Sequence, residues 1–150
     1  MSAAVFSERS PAGRTRWSHH EWKFVNATGY RVSNTDKNGT SFTARYLLPA
    51  GTLAIWKTTY YLPEGNESTD TIRVDGPLDS LNATSGTTAT SAIPSKKWKT
   101  GCGNDKVIKI RTEVTIESKG AGIPQIRGAT GYDSYYRFQQ ILTYDLEKCD

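Results

Sequence analysis

Residues 95–117 read SKKWKTGCGNDKVIKIRTEVTIE, and the second half of this stretch decides the fold class. From position 107 onward, two sets of side chains alternate without interruption. One set is Ile108, Ile110, Thr112, Val114 and Ile116, and the other is Val107, Lys109, Arg111, Glu113 and Thr115. A period of two residues is typical of a β-strand with one buried face and one hydrated face. The stretch therefore predicts the central strand of a sheet, with the first set facing the core.

The remainder of the chain also favours strands. Thr, Tyr, Trp, Val and Ile fit a pleated surface, and short runs of them are separated by Gly, Pro and Asn turns. This pattern gives about seven or eight strands. We expect an all-β fold, or a β-dominated fold with at most one C-terminal helix. The short strand spacing indicates an antiparallel sandwich, a jelly-roll-like fold or a barrel.

Local signals place several of these strands. Asn38-Gly39 is a preferred type I′ turn pair, because both residues tolerate positive φ, and it predicts a hairpin between strands at 30–32 and 42–48. The turn at 63–66 predicts a second hairpin. The tail at 133–149 is ambiguous, since its aromatic and β-branched residues favour a strand while its apolar spacing also fits a helix. We take the strand as the first interpretation.

The length of 150 residues fits one domain with its own core. Residues 1–16 are polar and contain Pro and Gly, so they predict an extended N-terminal arm, and residues 17–150 predict a single β domain. No apolar stretch reaches the length of about 18 residues that a membrane helix needs, so we expect no membrane association. The N-terminus also lacks the apolar run of a signal peptide.

Candidates for catalysis are few. His19, His20 and Glu21 form the histidine cluster, but adjacent histidines on a strand point to opposite faces and cannot both bind one metal ion. Carboxylates at Glu64 and at two later positions, 67 and 70, crowd one turn, yet their spacing matches no EF-hand loop. We therefore expect no enzyme activity, no cofactor and no metal site.

Two features bear on the cellular compartment. Cys102 and Cys149 either form a disulfide or remain free thiols, and a bond between them would stabilise the protein by about 2–4 kcal/mol. Four of the six asparagines lie in N-x-S/T sequons, namely Asn26, Asn38, Asn66 and Asn82. Sequons at turns are typical of glycosylated secreted proteins, although Asn, Ser, Thr and Gly also occur together in ordinary β-turns.

A basic stretch overlaps the central strand. The net charge of +4 and the pI near 9.1 favour polyanions weakly. The candidate nucleic-acid-binding residues are Lys96, Lys97, Trp98, Lys99, Lys106, Lys109 and Arg111. In one interpretation the cations contact phosphates and Trp98 stacks on a base. In the other, Lys109 and Arg111 pair across strands with acids such as Asp70, Asp75 or Asp145 and only keep the face hydrated.

Two functional hypotheses remain. The first is a non-enzymatic structural protein that self-assembles, most plausibly a viral coat subunit located in the virion, with itself and RNA or DNA as partners. Residues 104–117 (NDKVIKIRTEVTIE) resemble in character the RNA-facing strands in coats of small single-stranded RNA phages. The chain departs from those coats because it lacks a convincing pair of C-terminal helices. The second hypothesis is a secreted, glycosylated and disulfide-linked β-sandwich binding module, such as a lectin, adhesin or toxin-like protein.

Overall fold

The computed structural model describes residues 15–25, 28–34, 40–81, 87–90, 97–103, 106–118, 122, 124–128, 139–141 and 144–150. Within these ranges the chain forms eleven strands. They are β1 (Thr15–Phe24), β2 (Tyr30–Ser33), β3 (Ser41–Leu48), β4 (Thr52–Tyr61), β5 (Glu67–Asp75), β6 (Leu78–Asp79), β7 (Thr87–Thr90), β8 (Lys106–Ser118), β9 (Gln125–Gly128), β10 (Gln139–Ile141) and β11 (Asp145–Lys148). All pairings between them are antiparallel. The predicted all-β sandwich is confirmed.

The main sheet has four long strands in the order β1-β8-β4-β5. β8 contains the alternating stretch and lies between β1 and β4, as a central strand does. Its predicted core side is buried at every position, namely Ile108, Ile110, Thr112, Val114 and Ile116. Lys109 on the other side is exposed. The alternation in the sequence therefore correctly identifies both the strand and its core face.

Two smaller sheets cover the core face of the main sheet. In the first, β3 pairs with β6, β7, β9 and β10. Its inner residues pack on one half of the main sheet to form the β3 core, which consists of Phe42, Ala44, Tyr46, Leu48, Ala54, Trp56, Ile72, Val74, Val114, Ile116 and Ile126. Trp56 stacks on Phe42 with ring centroids 4.4 Å apart, and its indole N–H donates to the Tyr46 hydroxyl at 2.8 Å. The largest side chain of this core thus has its polar group satisfied.

The other of the two, β2 with β11, lies over the other half of the main sheet, and we call it the small sheet. Together with segment 97–103 it encloses the Trp98 core, which consists of Val32, Tyr60, Leu62, Trp98, Ile108 and Ile110. Trp22 and Phe24 of β1 pack against the margin of this core and are only partly buried. The main sheet therefore supports two separate apolar cores along its length.

A band of polar side chains separates the two cores. Thr112, Thr58 and Asp70 lie in register across β8, β4 and β5, and each is at most 2% exposed. The Thr40 hydroxyl donates to Asp70 Oδ2 at 3.1 Å and lies 2.7 Å from the Tyr60 hydroxyl. Because a threonine hydroxyl has one proton, Tyr60 is then the donor to Thr40. The band buries a carboxyl group in the middle of the sandwich.

The predicted hairpin between β2 and β3 is wrong. Both strands exist, but β2 pairs with β11 whereas β3 belongs to a different sheet. The backbone N–H of Asn34 donates to the Trp98 carbonyl at 3.0 Å, and its side-chain oxygen accepts from the Trp98 N–H at 2.8 Å. These long-range bonds hold the end of β2 to segment 97–103, and they override the local turn signal. The Asn38-Gly39 pair itself lies outside the described residues.

Other local predictions agree with the structure. The turn at 63–66 joins β4 to β5, with the Leu62 N–H donating to the Asn66 carbonyl at 2.8 Å. Strands occupy 139–141 and 145–148, so the strand interpretation of the tail is confirmed there, and 133–138 lie outside the described residues. β1 begins at Thr15, two positions before the predicted domain boundary, and the arm at 1–14 is likewise not described. In the described part of the chain, no helix is long and apolar enough to cross a membrane.

Candidate nucleic-acid interface

Segment 97–103 runs alongside β2 as a third extended segment of the small sheet. The Thr100 N–H donates to the Val32 carbonyl at 2.8 Å, and the Thr100 hydroxyl accepts from the Val32 N–H at 3.1 Å. Further along, the Gly103 N–H donates to the Tyr30 carbonyl at 3.1 Å. These bonds fix which side of the segment faces the main sheet.

Side chains along the segment alternate between core and solvent. Trp98 is 5% exposed, and its ring centroid lies 5.1 Å from that of Tyr60 on the core face of β4. Lys97 and Lys99 are exposed, because residues adjacent to Trp98 in an extended segment point away from the main sheet. The indole considered for base stacking is therefore a core side chain in this structure, and the two lysines are the accessible basic side chains of the segment.

The other basic pair lies on the opposite side of the protein. Lys109 and Arg111 alternate along β8 with Ile108 and Ile110, which pack in the Trp98 core. Their side chains consequently leave the main sheet on its outer face. The Trp98 core and the main sheet separate this pair from Lys97 and Lys99. The structure does not gather the candidate residues on one surface, and Lys96 lies outside the described residues.

Lys106 is bound to the turn between β4 and β5. Its ammonium group lies 3.2 Å from Glu64 Oε1, which also accepts a hydrogen bond from the Gly101 N–H at 2.6 Å. Partial burial raises the pKa of Glu64, but these two interactions outweigh it and hold the pKa below its ordinary value. Glu64 thus stays ionised and clamps the basic segment to the main sheet.

The outer face of the main sheet carries balanced charge. Its described basic side chains are Lys23, Lys57, Arg73, Lys109 and Arg111, and its acidic ones are Glu21, Glu67, Asp75, Glu113 and Glu117. Arg111 pairs with Glu113 at 2.6 Å, and Lys109 lies 3.9 Å from Glu21. The partners are thus neighbours on the outer face and not Asp70, Asp75 or Asp145. Five charges of each sign cancel formally, so this face does not attract polyanions as a whole.

The catalytic candidates lie apart from one another. His19 is exposed opposite Arg111, while His20 is half-buried opposite Ile110, so the two point to opposite faces as predicted. Glu67 is exposed on the outer face, whereas Asp70 is buried. Across the described ranges, no group of three or more His, Cys, Asp and Glu side chains could hold a metal ion.

Asp70 is a carboxyl group that is almost completely buried, with 2% of its surface exposed. Burial raises its pKa, and hydrogen bonds from the Thr40 hydroxyl and backbone N–H oppose this effect only in part. Its second oxygen, Oδ1, is buried and accepts no hydrogen bond within the described part of the chain. The sequence contains a signal for this, because Asp70 lies at an even-numbered position in register with the apolar residues Ile72 and Val74, which are buried. Treating it as a member of an acidic turn missed that signal.

Cys102 and Cys149 form a disulfide with Cα atoms 6.2 Å apart, which settles the two alternatives left by the sequence. The bond joins segment 97–103 to the residue after β11. The backbone N–H of Cys149 also donates to the Gly29 carbonyl at 2.7 Å. The disulfide therefore links the two neighbours of β2 and fixes the small sheet over the Trp98 core.

A surface that the sequence did not reveal lies at the open margin of the Trp98 core. Tyr144 is 44% exposed and contacts Trp22 and Phe24, each with ring centroids 5.7 Å away. Val25 is 61% exposed and Leu146 is 56% exposed. We call these five residues the aromatic patch. Trp22 and Phe24 are far from Tyr144 in the sequence, so only the fold brings these three rings together. Val25 follows Phe24 directly, and Leu146 lies two positions after Tyr144.

Comparisons with known proteins identify no family. No family model matches the chain, and no curated protein matches it. Among solved structures, it is similar to a chain in the structure of infectious bursal disease virus, Gx strain, with a TM-score of 0.40 and 14% identity. The match covers 99% of this chain and 35% of that chain, so this chain spans about a third of that length. At this level the likeness carries no argument about function.

Proposed function

We propose that the protein is a structural subunit that assembles with copies of itself into a viral coat and contacts the enclosed nucleic acid. The observation that carries the proposal is the aromatic patch. A cluster of exposed large apolar side chains typically marks a protein–protein contact, because leaving it in water is unfavourable. A second copy that covers the patch would extend the Trp98 core across an interface.

The fold suits a building block. The Glu64 clamp holds the small sheet to the main sheet, and the disulfide ties the two neighbours of β2 together, so that the surfaces of the small sheet keep fixed positions. Rigid elements place contact residues more accurately than loops do. A subunit of this kind can present the same surfaces to every neighbour in a symmetric assembly.

Within this proposal, nucleic-acid contact belongs to Lys97 and Lys99 in preference to Lys109 and Arg111. Neither lysine takes part in an ion pair within the described residues, and both side chains are exposed on the small sheet. Lys109 and Arg111 instead lie among acids on a face whose charges cancel. A cation that is not held in an ion pair is freer to contact a phosphate.

Light scattering across a concentration series tests the proposed assembly. We expect the wild type to form large oligomers and Leu146→Asp to shift them towards monomers, because a carboxylate in the covered patch would be desolvated. Lys57→Asp, on the outer face, is the control and should assemble as the wild type does. If Leu146→Asp assembles as the wild type does, the aromatic patch is not the contact between copies and no longer supports the proposed assembly.

The disulfide and the exposed sequon at Asn66 favour a second candidate, a secreted binding module. In that case the aromatic patch would bind a ligand, for example a glycan ring stacked on Trp22 or Tyr144. A monomer that carries a glycan on Asn66 when it is expressed in a eukaryotic secretory pathway, and that binds a glycan array, would support this candidate over the coat.

A further inference from the structure

β5 forms one edge of the main sheet, and no strand among the described residues pairs with its far side. It is nine residues long, contains no proline, and alternates regularly between buried and exposed side chains over most of its length. Soluble monomers usually block long regular edges, because unpaired backbone groups are a template for another strand. β5 contains an inward-pointing acid, Asp70, but on its outer face it offers a regular pattern of charged and hydroxyl side chains.

The hairpin determines which backbone groups face outward. Leu62 and Asn66 form a hydrogen-bonded pair, as do Thr52 and Gly76, with N–H to O distances of 2.8 Å in both. Hydrogen-bonded pairs recur at every second residue in an antiparallel ladder. Even-numbered residues of β5 therefore bond to β4. The odd-numbered ones, from Glu67 to Asp75, direct their N–H and C=O groups to the open edge.

We propose that β5 pairs antiparallel with β5 of a second copy about a two-fold axis at Asp70, which joins two main sheets into one of eight strands. This inference rests on the proposed self-assembly and names one of its interfaces. Residues whose numbers add up to 140 are then opposite each other. Glu67 faces Arg73 of the second copy, and Thr69 faces its Thr71, and the two-fold axis repeats both pairs.

The charges along β5 favour a two-fold axis at Asp70 over axes at nearby residues. An axis at Thr71 would place Glu67 opposite Asp75 twice, which is repulsive. Axes at Thr69 or Ile72 would leave every charged side chain of the outer face without an opposite charge across the edge. Among these axes, only the one at Asp70 forms two ion pairs. The backbone hydrogen bonds that it requires also fall on the odd-numbered residues, whose N–H and C=O groups face the open edge. Self-complementarity of this kind is what an isologous contact requires.

The same register places Asp70 opposite Asp70 of the second copy on the core face. Two adjacent carboxylates repel each other, but one proton shared between them satisfies both. Each Oδ1 is buried without a hydrogen bond in the described part of the chain. Tyr60 faces Asp70 from β4 and stays neutral because burial raises its pKa, while Thr40 faces it from the other layer and does not titrate.

Sedimentation equilibrium of charge-swap variants tests the interface. Glu67→Arg and Arg73→Glu should each weaken dimerisation at least about tenfold, since two symmetric pairs change from attraction to repulsion. The double variant, Glu67→Arg with Arg73→Glu, restores attraction across the edge and should dimerise more tightly than either single variant. Its affinity should stay below that of the wild type, because Arg73 also pairs with Asp75 at 3.0 Å. Lys57→Glu makes a like charge change away from the edge and should leave the affinity unchanged.

Thr71→Pro is a second, independent variant. It removes an N–H that faces the open edge, and proline is tolerated on edge strands at such positions. We expect a folded protein that no longer dimerises through β5. If the wild type dimerises and both Arg73→Glu and Thr71→Pro dimerise equally well, the β5 interface is overturned while self-assembly stands. If the wild type is monomeric at every concentration, self-assembly fails and the interface fails with it.

Discussion

Asp70 is a carboxyl group between two apolar cores, and its burial makes stability depend on pH in an unusual direction. Because the folded-state pKa is raised above the unfolded value, the folded protein binds the proton more tightly. Its contribution to stability is therefore full below the ordinary pKa of 3.8 and decreases as the pH rises through the folded-state pKa.

Asp70→Asn tests this linkage. Relative to wild type, the variant should become progressively more stable as the pH rises from the acid range to neutrality, because asparagine does not ionise. Denaturant unfolding of both proteins at several pH values measures the difference. A difference in free energy of unfolding that is constant with pH would show that Asp70 does not titrate in this range.

Gly76 illustrates a different constraint at the scale of one residue. A Cβ at this position would lie 2.8 Å from the Leu48 carbonyl oxygen and would overlap that of Pro49. Gly76→Ala should therefore cost about 2 kcal/mol or more of stability. Gly29→Ala is the control, since its φ of +77° is unfavourable but its Cβ meets nothing within 4 Å, and it should cost only about 1 kcal/mol. Equal costs in chemical denaturation would contradict the steric account.

At the scale of elements, the disulfide holds the small sheet in place. It joins positions 47 residues apart in the sequence and fixes segment 97–103 beside β2. Cys102→Ser with Cys149→Ser should lower the free energy of unfolding by about 2–4 kcal/mol. Trp98 should report the change by its fluorescence, because it would gain access to water. A double variant as stable as the wild type would mean that the hydrogen bonds along β2 suffice.

We predict that the two pairs of basic residues, Lys97 with Lys99 and Lys109 with Arg111, contribute unequally to nucleic-acid binding. Lys97→Glu with Lys99→Glu should reduce RNA retention and lower the log–log salt slope by about 2, since each lost phosphate contact removes about 0.9. Lys109→Glu with Arg111→Glu makes the same charge change on the outer face of the main sheet and should have a smaller effect. A larger effect of the second pair would place the contact on the outer face.

Element prediction worked where the pattern was local. The alternation along β8 identified both the strand and its core face, because the side-chain period is a property of a single strand. The partners of β2 and β3 were not predictable in this way, since Asn34 bonds to Trp98 across a long sequence separation. The sequence likewise grouped Lys97 and Lys109 in one basic stretch, although the two segments pack on opposite sides of the Trp98 core and so direct these lysines to opposite sides of the protein.

At the scale of the whole molecule, two small sheets cover one main sheet, and the proposed interfaces lie at the margins of the main sheet. The aromatic patch belongs to β1 and β11, and the open edge belongs to β5 at the other end of the main-sheet order. Contacts on opposite margins allow each copy to join more than one neighbour, which a closed shell requires. Lys97 and Lys99 would then lie on the surface that faces the enclosed nucleic acid.

The most direct test of the central claim is the mass of the purified wild-type protein in solution, measured by sedimentation velocity with detection at 260 and 280 nm. The account predicts particles that contain many copies of the chain and that carry nucleic acid, seen as a raised 260-to-280 absorbance ratio in the same boundary. A single boundary at the mass of one 16.6 kDa chain at all concentrations would contradict it.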